Sequence, residues 1–381
     1  MAPVLTHCPP PALAATALPA VPLLARDIST NVYFNAERAS WMNPSDILTI
    51  LMLVGGDVVH RAIAQLAGAG PGSFAPVAFS FGWVTYSFSA LLSAVGYEES
   101  LLPQPAEPCT LSNVRTGITF TNKSWVLDCV MRYQERRTAR RRRYGMEIEV
   151  YRVLSVGRPG RDWAYWLGVV TILLQLGVAV VPGVLHDNWI VLIIAGGGTL
   201  LALCGAALPQ WNEAKFAARP VRKGEEQVVC LTRGNGSRAV MVLVNSSLRL
   251  DDMANANSKR DWFTAAANAV MSVLWVVLLL VVEGVEQDGW YVLAIGGIGM
   301  VHNVVAAGAQ RDLDALGFQV EKEGRREGED VISAPKMMHT LIEAEERIPG
   351  VGLTLLPMFF PGGLRADEQA YWDESRARFG A

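Results

Sequence analysis

The chain has 381 residues, 51% hydrophobic and only 18% charged, with a formal net charge of −3 from 33 Lys and Arg against 36 Asp and Glu. A mean hydropathy of +0.25 argues against intrinsic disorder and against a set of ordinary water-soluble domains, and the near-neutral charge leaves no basic excess for nucleic acid. An integral membrane protein, with the lipid bilayer as its main partner, is the first expectation.

Residues 1–42 read as an irregular, Pro-rich N-terminal tail. Ala12 to Ala25 is apolar, but it lacks a basic n-region and is interrupted by Pro19 and Pro22, so a cleaved signal is not expected. A membrane span needs about 20 mostly apolar residues. The first candidate, Ile47 to Ala67, is interrupted by Asp57, His60 and Arg61. Its start is well marked, because Asn43 can cap, Pro44 suits the first helical position and Asp46 suits the positive end of the helix dipole. Phe74 to Val95, Trp163 to Leu185, Trp189 to Leu208, Phe263 to Val282 and Trp290 to Ala309 carry no Lys, Arg, Asp or Glu. The six candidates pair into three hairpins, 43–96, 163–208 and 263–309, joined by short turns.

Those turns, near 68–73, 186–188 and 283–289, hold no Lys or Arg, whereas segment 97–162 holds twelve and segment 209–262 holds nine. The positive-inside rule therefore puts both long segments, the tail 310–381 and both termini on the cytosolic side. Trp41, Trp163, Trp166, Trp189, Trp211, Trp262 and Trp290 fall near span ends, as an interfacial belt requires. The second and third hairpins also resemble each other. Asp187, Trp189, Val191, Leu192, Ile194, Gly196, Gly198 and Ala206 match Asp288, Trp290, Val292, Leu293, Ile295, Gly297, Gly299 and Ala307 at a constant offset of 101, and Asp162-Trp163 matches Asp261-Trp262 at the hairpin entries. A parallel internal repeat and the ordinary recurrence of interfacial Trp and packing Gly both account for this.

In segment 97–162, Arg136, Arg137 and Arg140 to Arg143 form the densest charge cluster. Arg140, Arg141, Arg142 and Arg143 are candidates for an anionic-lipid contact. The cluster lies about 20 residues from Trp163, so a solvated helix face that holds topology is the favoured reading. Met146 to Val156 reads as a strand. In segment 209–262, Gln227 to Arg233 and Arg238 to Asn245 flank Gly234-Asn235-Gly236-Ser237, a β-hairpin signal in which Asn235 and Gly236 would both accept positive φ. The two regions could share one small cytosolic sheet. The glycines do not form a phosphate-binding loop, since no G-x-x-x-x-G-K-[ST] is present.

The tail 310–381 has fourteen acidic and nine basic residues, a helical stretch over Met337 to Glu346, and an apolar stretch, Ile348 to Gly363, broken by Pro and Gly. A helix over Val351 to Phe360 would reach only about 15 Å, half a bilayer, so an interfacial segment or a plug against the cytosolic hairpin is expected. This tail resembles a known signature. A glutamate-rich helix, then Ile348-Pro349-Gly350-Val351-Gly352, Leu355-Leu356-Pro357, Phe359-Phe360-Pro361-Gly362 and Leu364-Arg365, ending near Tyr371-Trp372, is similar to the C-terminus of uncharacterised multi-pass integral membrane proteins of filamentous fungi. Gly55-Gly56-Asp57, Phe79-Ser80-Phe81-Gly82-Trp83, Trp211-Asn212-Glu213-Ala214-Lys215 and Thr232-Arg233-Gly234-Asn235-Gly236 add to the resemblance. It implies a membrane location and no known activity.

Ionisable groups inside a span are costly and face a protein interior or water. Asp57 and Arg61, at i and i+4, can pair with His60 beside them. An ion-coupled site and a structural salt bridge are the two readings, and the bridge is favoured. Asn268, His302, Asn303 and Gln175 are the other polar groups at depth and are explained by interhelical hydrogen bonds. Cys8, Cys109, Cys129, Cys204 and Cys230 lack metal-ligand spacing and read as reduced, inert thiols. The sequons at Asn122, Asn235 and Asn245 fall in segments expected to be cytosolic. There is no H-E-x-x-H, no G-x-S-x-G, no paired acidic metal motif and no cofactor fingerprint, so no catalytic, metal or cofactor residue is assigned and an enzyme is not the expectation. The chain reads as an all-α membrane protein of six transmembrane helices in three hairpins with a small cytosolic β-element. Its role reads as structural or regulatory, the alternative being a solute or proton-coupled transporter using Asp57, His60 and Arg61.

Overall fold

The computed structural model describes residues 45–68, 74–95, 101–141, 145–255, 262–285, 287–322 and 331–380. The tail 1–42 with Trp41, the Asn43-Pro44 start signal, Arg142, Arg143 and Asp261 lie outside these residues. From Ser45 the chain forms helix α1 (Ser45–Leu66) and helix α2 (Gly82–Val95), then strands β1 (Thr110–Asn113) and β2 (Thr119–Thr121), helix α3 (Trp125–Arg141) and strand β3 (Glu147–Val156). An apolar hairpin, α4 (Trp163–His186) and α5 (Ile190–Ala206), continues through the short α6 (Gln210–Phe216) to β4 (Gln227–Thr232) and β5 (Ala239–Asn245). After α7 (Leu250–Ala254) comes a second apolar hairpin, α8 (Trp262–Glu283) and α9 (Gly289–Ala307). The chain ends with β6 (Phe318–Lys322), β7 (Val331–Ile332), α10 (Met337–Arg347), α11 (Val351–Phe359) and α12 (Ala366–Gly380).

Among the described residues four helices are long and apolar enough to cross a membrane: Trp163–His186, Ile190–Phe216, in which α6 continues α5, Trp262–Glu283 and Gly289–Ala307. They correspond to the second and third hairpins expected from the sequence. Asp162 starts α4 by accepting the Tyr165 N–H at 3.2 Å. Asp187 (φ 57°) and Asp288 (φ 64°) are the non-glycine residues with positive φ among those described, and they occupy equivalent positions in the two turns. Aspartate tolerates this left-handed geometry better than most side chains. Trp163, Trp166 and Trp262 are exposed at one end of these helices, and Trp189 and Trp290 are half-exposed at the other. Trp211 does not belong to the belt, because it is fully buried and donates its indole N–H to the Gly205 carbonyl at 3.1 Å.

Six transmembrane helices in three hairpins is not what the chain forms. The expected second span, Phe74 to Val95, is irregular from Phe74 to Ser80, with a tight turn where Val77 N–H meets the Ala75 carbonyl at 2.8 Å, and only Gly82–Val95 is helical. Fourteen helical residues reach about 21 Å, against a hydrocarbon core of about 30 Å. Pro76 has no backbone N–H to give a helix, and the alternating aromatic and β-branched residues that follow favour extended backbone. Absence of charge records burial here and not helicity, since Ala75 to Trp83 are all buried.

The β-element is also larger than expected, a seven-stranded sheet in the order β2-β1-β4-β5-β3-β6, with β7 beside β3. β4 and β5 form the expected hairpin, with Gln227 opposite Asn245. Positive φ falls on Gly234 (89°) and Gly236 (92°) and not on Asn235, because the loop from Arg233 to Arg238 is longer than a two-residue turn. β3 runs parallel to β5 and antiparallel to β6 and β7. Each apolar hairpin is thus inserted between two strands of one sheet, α4–α5 between β3 and β4, and α8–α9 between β5 and β6. One face of the sheet, including Leu111, Leu231, Met241, Leu243 and Tyr151, shares a continuous core with α3, Trp211 and the helix bundle. The other, including Val150, Cys230, Val240 and Val242, is covered by α10, α11 and α12.

The tail signature forms the corner between α10 and α11. The buried Glu345 carboxylate accepts the Gly350 N–H at 2.8 Å and the Leu353 N–H at 3.0 Å, which caps the N-terminus of α11. Gly350 takes φ 91°, and a Cβ at Gly352 would collide with the Leu341 carbonyl and the Trp372 ring. We expect Glu345→Ala to leave two buried N–H groups unsatisfied, a loss of about 1–3 kcal/mol. The apparent melting temperature in detergent should fall by several degrees, and by less in Glu345→Gln, which keeps one acceptor.

Candidate functional site

The chemistry of the bundle converges on the irregular segment Phe74 to Ser80, which lies between the two hairpins. A peptide backbone buried among apolar helices must find partners for its carbonyls, and three side chains supply them. Gln175 of α4 donates to the Phe79 carbonyl at 2.7 Å and to the Ile295 carbonyl at 2.8 Å. Asn303 of α9 donates to the Ala78 carbonyl and to Ser80 Oγ, both at 3.1 Å, and Trp83 Nε1 donates to the Ala78 carbonyl at 3.0 Å. Glycines allow the approach. A Cβ at Gly168 would strike the Pro76 carbonyl, one at Gly299 the Phe79 carbonyl, and one at Gly198 the Phe79 ring. Gly198 and Gly299 are equivalent in the two hairpins, so Phe79 is clasped by the same position of each.

From Phe79 a column of rings runs toward the sheet. Phe79 stacks on Trp275 (6.0 Å between centroids), Trp275 on Trp83 (5.6 Å), Trp83 meets Tyr86 edge-on (5.5 Å), and Tyr86 stacks on His60 (5.9 Å) and Trp211 (6.3 Å). A small cavity beside it is lined by Trp83, Tyr86, Ser87, Asn268 and Trp275 among others.

The residues singled out in the sequence fall into three places. Asp57 and Arg61 form an ion pair at 2.9 Å with both side chains exposed, 68% and 59%. His60 turns inward, its Nε2 2.7 Å from the Leu101 carbonyl. Asn268 donates to Gln210 Oε1 at 3.0 Å near the cavity. His302 and Asn303 are neighbours on α9, with His302 Nδ1 3.2 Å from Asn303 Oδ1, and only Asn303 reaches the irregular segment through a hydrogen bond. Asp57, His60 and Arg61 therefore do not converge.

Sequence reasoning passed over Lys215 and Arg311, which hold the junction between bundle and sheet layer. Both are buried. Lys215 donates to the Ala67 carbonyl and sits over the Trp125 ring at 5.4 Å. Arg311 donates to the Gln65 carbonyl and forks onto Asp162 at 2.7 and 2.9 Å. Two basic side chains thus meet the C-terminal carbonyls of α1, the negative end of its dipole. In the sheet layer, burial pushes the thiol of Cys109 up, that of Cys129 up to about 11 and that of Cys230 up to about 12.

No protein family, curated protein or solved structure matches this chain.

Two expectations follow. Gly299→Ala should abolish the folded protein, because the new Cβ meets the Phe79 carbonyl, while Gly297→Ala, with open space around it, should behave as wild type in size-exclusion profile and melting temperature. A raised thiol pKa means less thiolate at a given pH, so at pH 8 a thiol of pKa about 11 is roughly 0.1% ionised. Mass spectrometry should find Cys109, Cys129 and Cys230 unmodified by maleimide in the native protein and fully modified after denaturation.

Proposed function

We propose that this is an integral membrane protein in which the two apolar hairpins cross the bilayer, the α/β layer and the C-terminal helices lie on the cytosolic face, and the role is structural or regulatory. One observation carries the reading: the seam between the hairpins is filled by the segment Phe74 to Ser80, clasped by Gly168, Gly198 and Gly299. Bundle and layer share a continuous core, so the molecule presents its cytosolic sheet as a rigid extension of the membrane helices. The cytosolic side is favoured by the Lys and Arg content of segments 97–162 and 209–262. An anionic-lipid contact through Arg140 to Arg143 gains no support. Arg141 is engaged by Glu147 and Glu149 at the start of β3, the end of that strand remote from α4.

The transporter alternative needs Asp57, His60 and Arg61 to act together, and the exposed pair and the inward His60 stand on different faces of α1. The test is dissipation of an imposed pH gradient in proteoliposomes. Wild-type protein should match protein-free vesicles. A proton flux abolished by Asp57→Asn or His60→Gln would sink the structural reading and establish coupled transport.

A further inference from the structure

We propose that Phe74 to Val95 is a re-entrant plug that enters the bundle from the sheet side, turns inside it and returns to the same side, while α1 makes a full crossing. This rests on the reading that the two apolar hairpins span the bilayer. The bundle has two unambiguous ends. Helices α4 and α8 start, and α5 and α9 finish, beside the strands they connect, so that end is the sheet end. The opposite end carries the two short turns, tied together where Asp288 meets His186 Nδ1 at 2.8 Å and accepts the Asn188 Nδ2–H at 3.0 Å.

The segment can be followed against this frame residue by residue. Phe74 packs edge-on against Tyr165, in the first turn of α4 at the sheet end. Pro76 is level with Gly168, two turns into α4 at most, and Phe79 is level with Gln175 and Gly299, near the middles of α4 and α9. Phe81 then packs on Gly296, further still from the sheet. From there the direction reverses. Along α2, Trp83 stacks on Trp275, Ser87 accepts through its carbonyl from Ser272 at 3.0 Å, and Ala90 shares the small cavity with Met271 and Asn268. Rising numbers in α2 thus meet falling numbers in α8. Since α8 runs away from the sheet, α2 runs back toward it.

Helix α1 is different. Gly55 lies against Met300 in the middle of α9, and Arg311, just beyond the end of α9, reaches the Gln65 carbonyl. The two helices run side by side in the same direction. The 22 residues of α1 cover about 33 Å, enough to take Ser45 to the far end. Five crossings and a plug replace the six crossings expected from hydropathy, and Ser45 falls on the face opposite the sheet. Non-helical backbone at this depth is stable only because protein surrounds it.

The experiment uses introduced cysteines in the full chain, with Cys8 and the exposed Cys204 replaced by serine and the buried Cys109, Cys129 and Cys230 left in place, probed in sealed vesicles with a membrane-impermeant maleimide before and after permeabilisation. Lys223→Cys marks the sheet layer and Gln287→Cys marks the far turn. Phe74→Cys should label from the same side as Lys223→Cys, and Ser45→Cys from the same side as Gln287→Cys. Phe74→Cys labelling with Gln287→Cys would restore the six-crossing hairpin and overturn the plug, as would Ser45→Cys labelling with Lys223→Cys. If Lys223→Cys and Gln287→Cys label from one side, the hairpins do not cross, and the membrane reading itself falls along with the plug.

Discussion

The Phe79 peptide is the point on which the bundle depends. Its carbonyl lies among apolar helices where water does not reach, and an unsatisfied backbone group there costs several kcal/mol. Gln175 answers this demand from α4 and, with the same amide nitrogen, reaches the Ile295 carbonyl of α9, so one side chain ties the irregular segment to both hairpins. The glycines at 168, 198 and 299 are the steric side of the same requirement, because this backbone can lie so close only against helices without Cβ atoms at the contact. Polar satisfaction and close packing are thus a single constraint. Loosening either would open the seam that holds the hairpins together.

The architecture around that point is close to two-fold symmetric. In the sheet the order β4-β5-β3-β6 reads the same, reversed, when β3 and β5, and β4 and β6, are exchanged, and this exchange carries β3 and β4, which flank one hairpin, onto β5 and β6, which flank the other. The helices follow suit, since α9 packs on α4 while α8 packs on α5. The offset of 101 in the sequence therefore corresponds to equivalent three-dimensional surroundings: Asp187 and Asp288 share a backbone conformation, Gly196 and Gly297 both face open space, and Gly198 and Gly299 both face Phe79. These pairings are what a parallel repeat would give.

The two later hairpins were legible in the sequence because their signals are local: about 20 uncharged residues, tryptophans at the ends and a short turn. The β4–β5 hairpin was legible for the same reason. The sheet was not, because β1, β2 and β6 are only three to five residues long, and β1 and β6 join it through β4 and β3, far along the chain. The failure at Phe74 to Val95 is more instructive. Hydropathy reports whether a residue can leave water, and Ala75 to Trp83 are buried, but in an irregular segment and the start of a short helix. Pro76 and Gly82 were the visible clues, and they decide the conformation only once Gly168 and Gly299 offer the segment a bed. Gln175 and Asn303 were recognised as buried hydrogen-bonding residues, while their partner, a non-helical backbone, could not be read from composition.

The separation of Asp57, His60 and Arg61 follows from helix geometry. At about 100° per residue, Asp57 and Arg61 lie about 40° apart and can pair, whereas His60 lies about 60° to the other side of Asp57. That rotation is enough to bring its ring onto Tyr86 of α2 and its Nε2 to the Leu101 carbonyl, where the chain has just left the plug. His60 therefore belongs with the aromatic column that braces the plug from the sheet side. The ion pair belongs to the outer surface of α1, where two opposite charges held at 2.9 Å limit the cost of charge on a mostly apolar helix. The polar interruption that made this the weakest span in the sequence thus has two structural causes on two faces of one helix, and neither requires a moving proton.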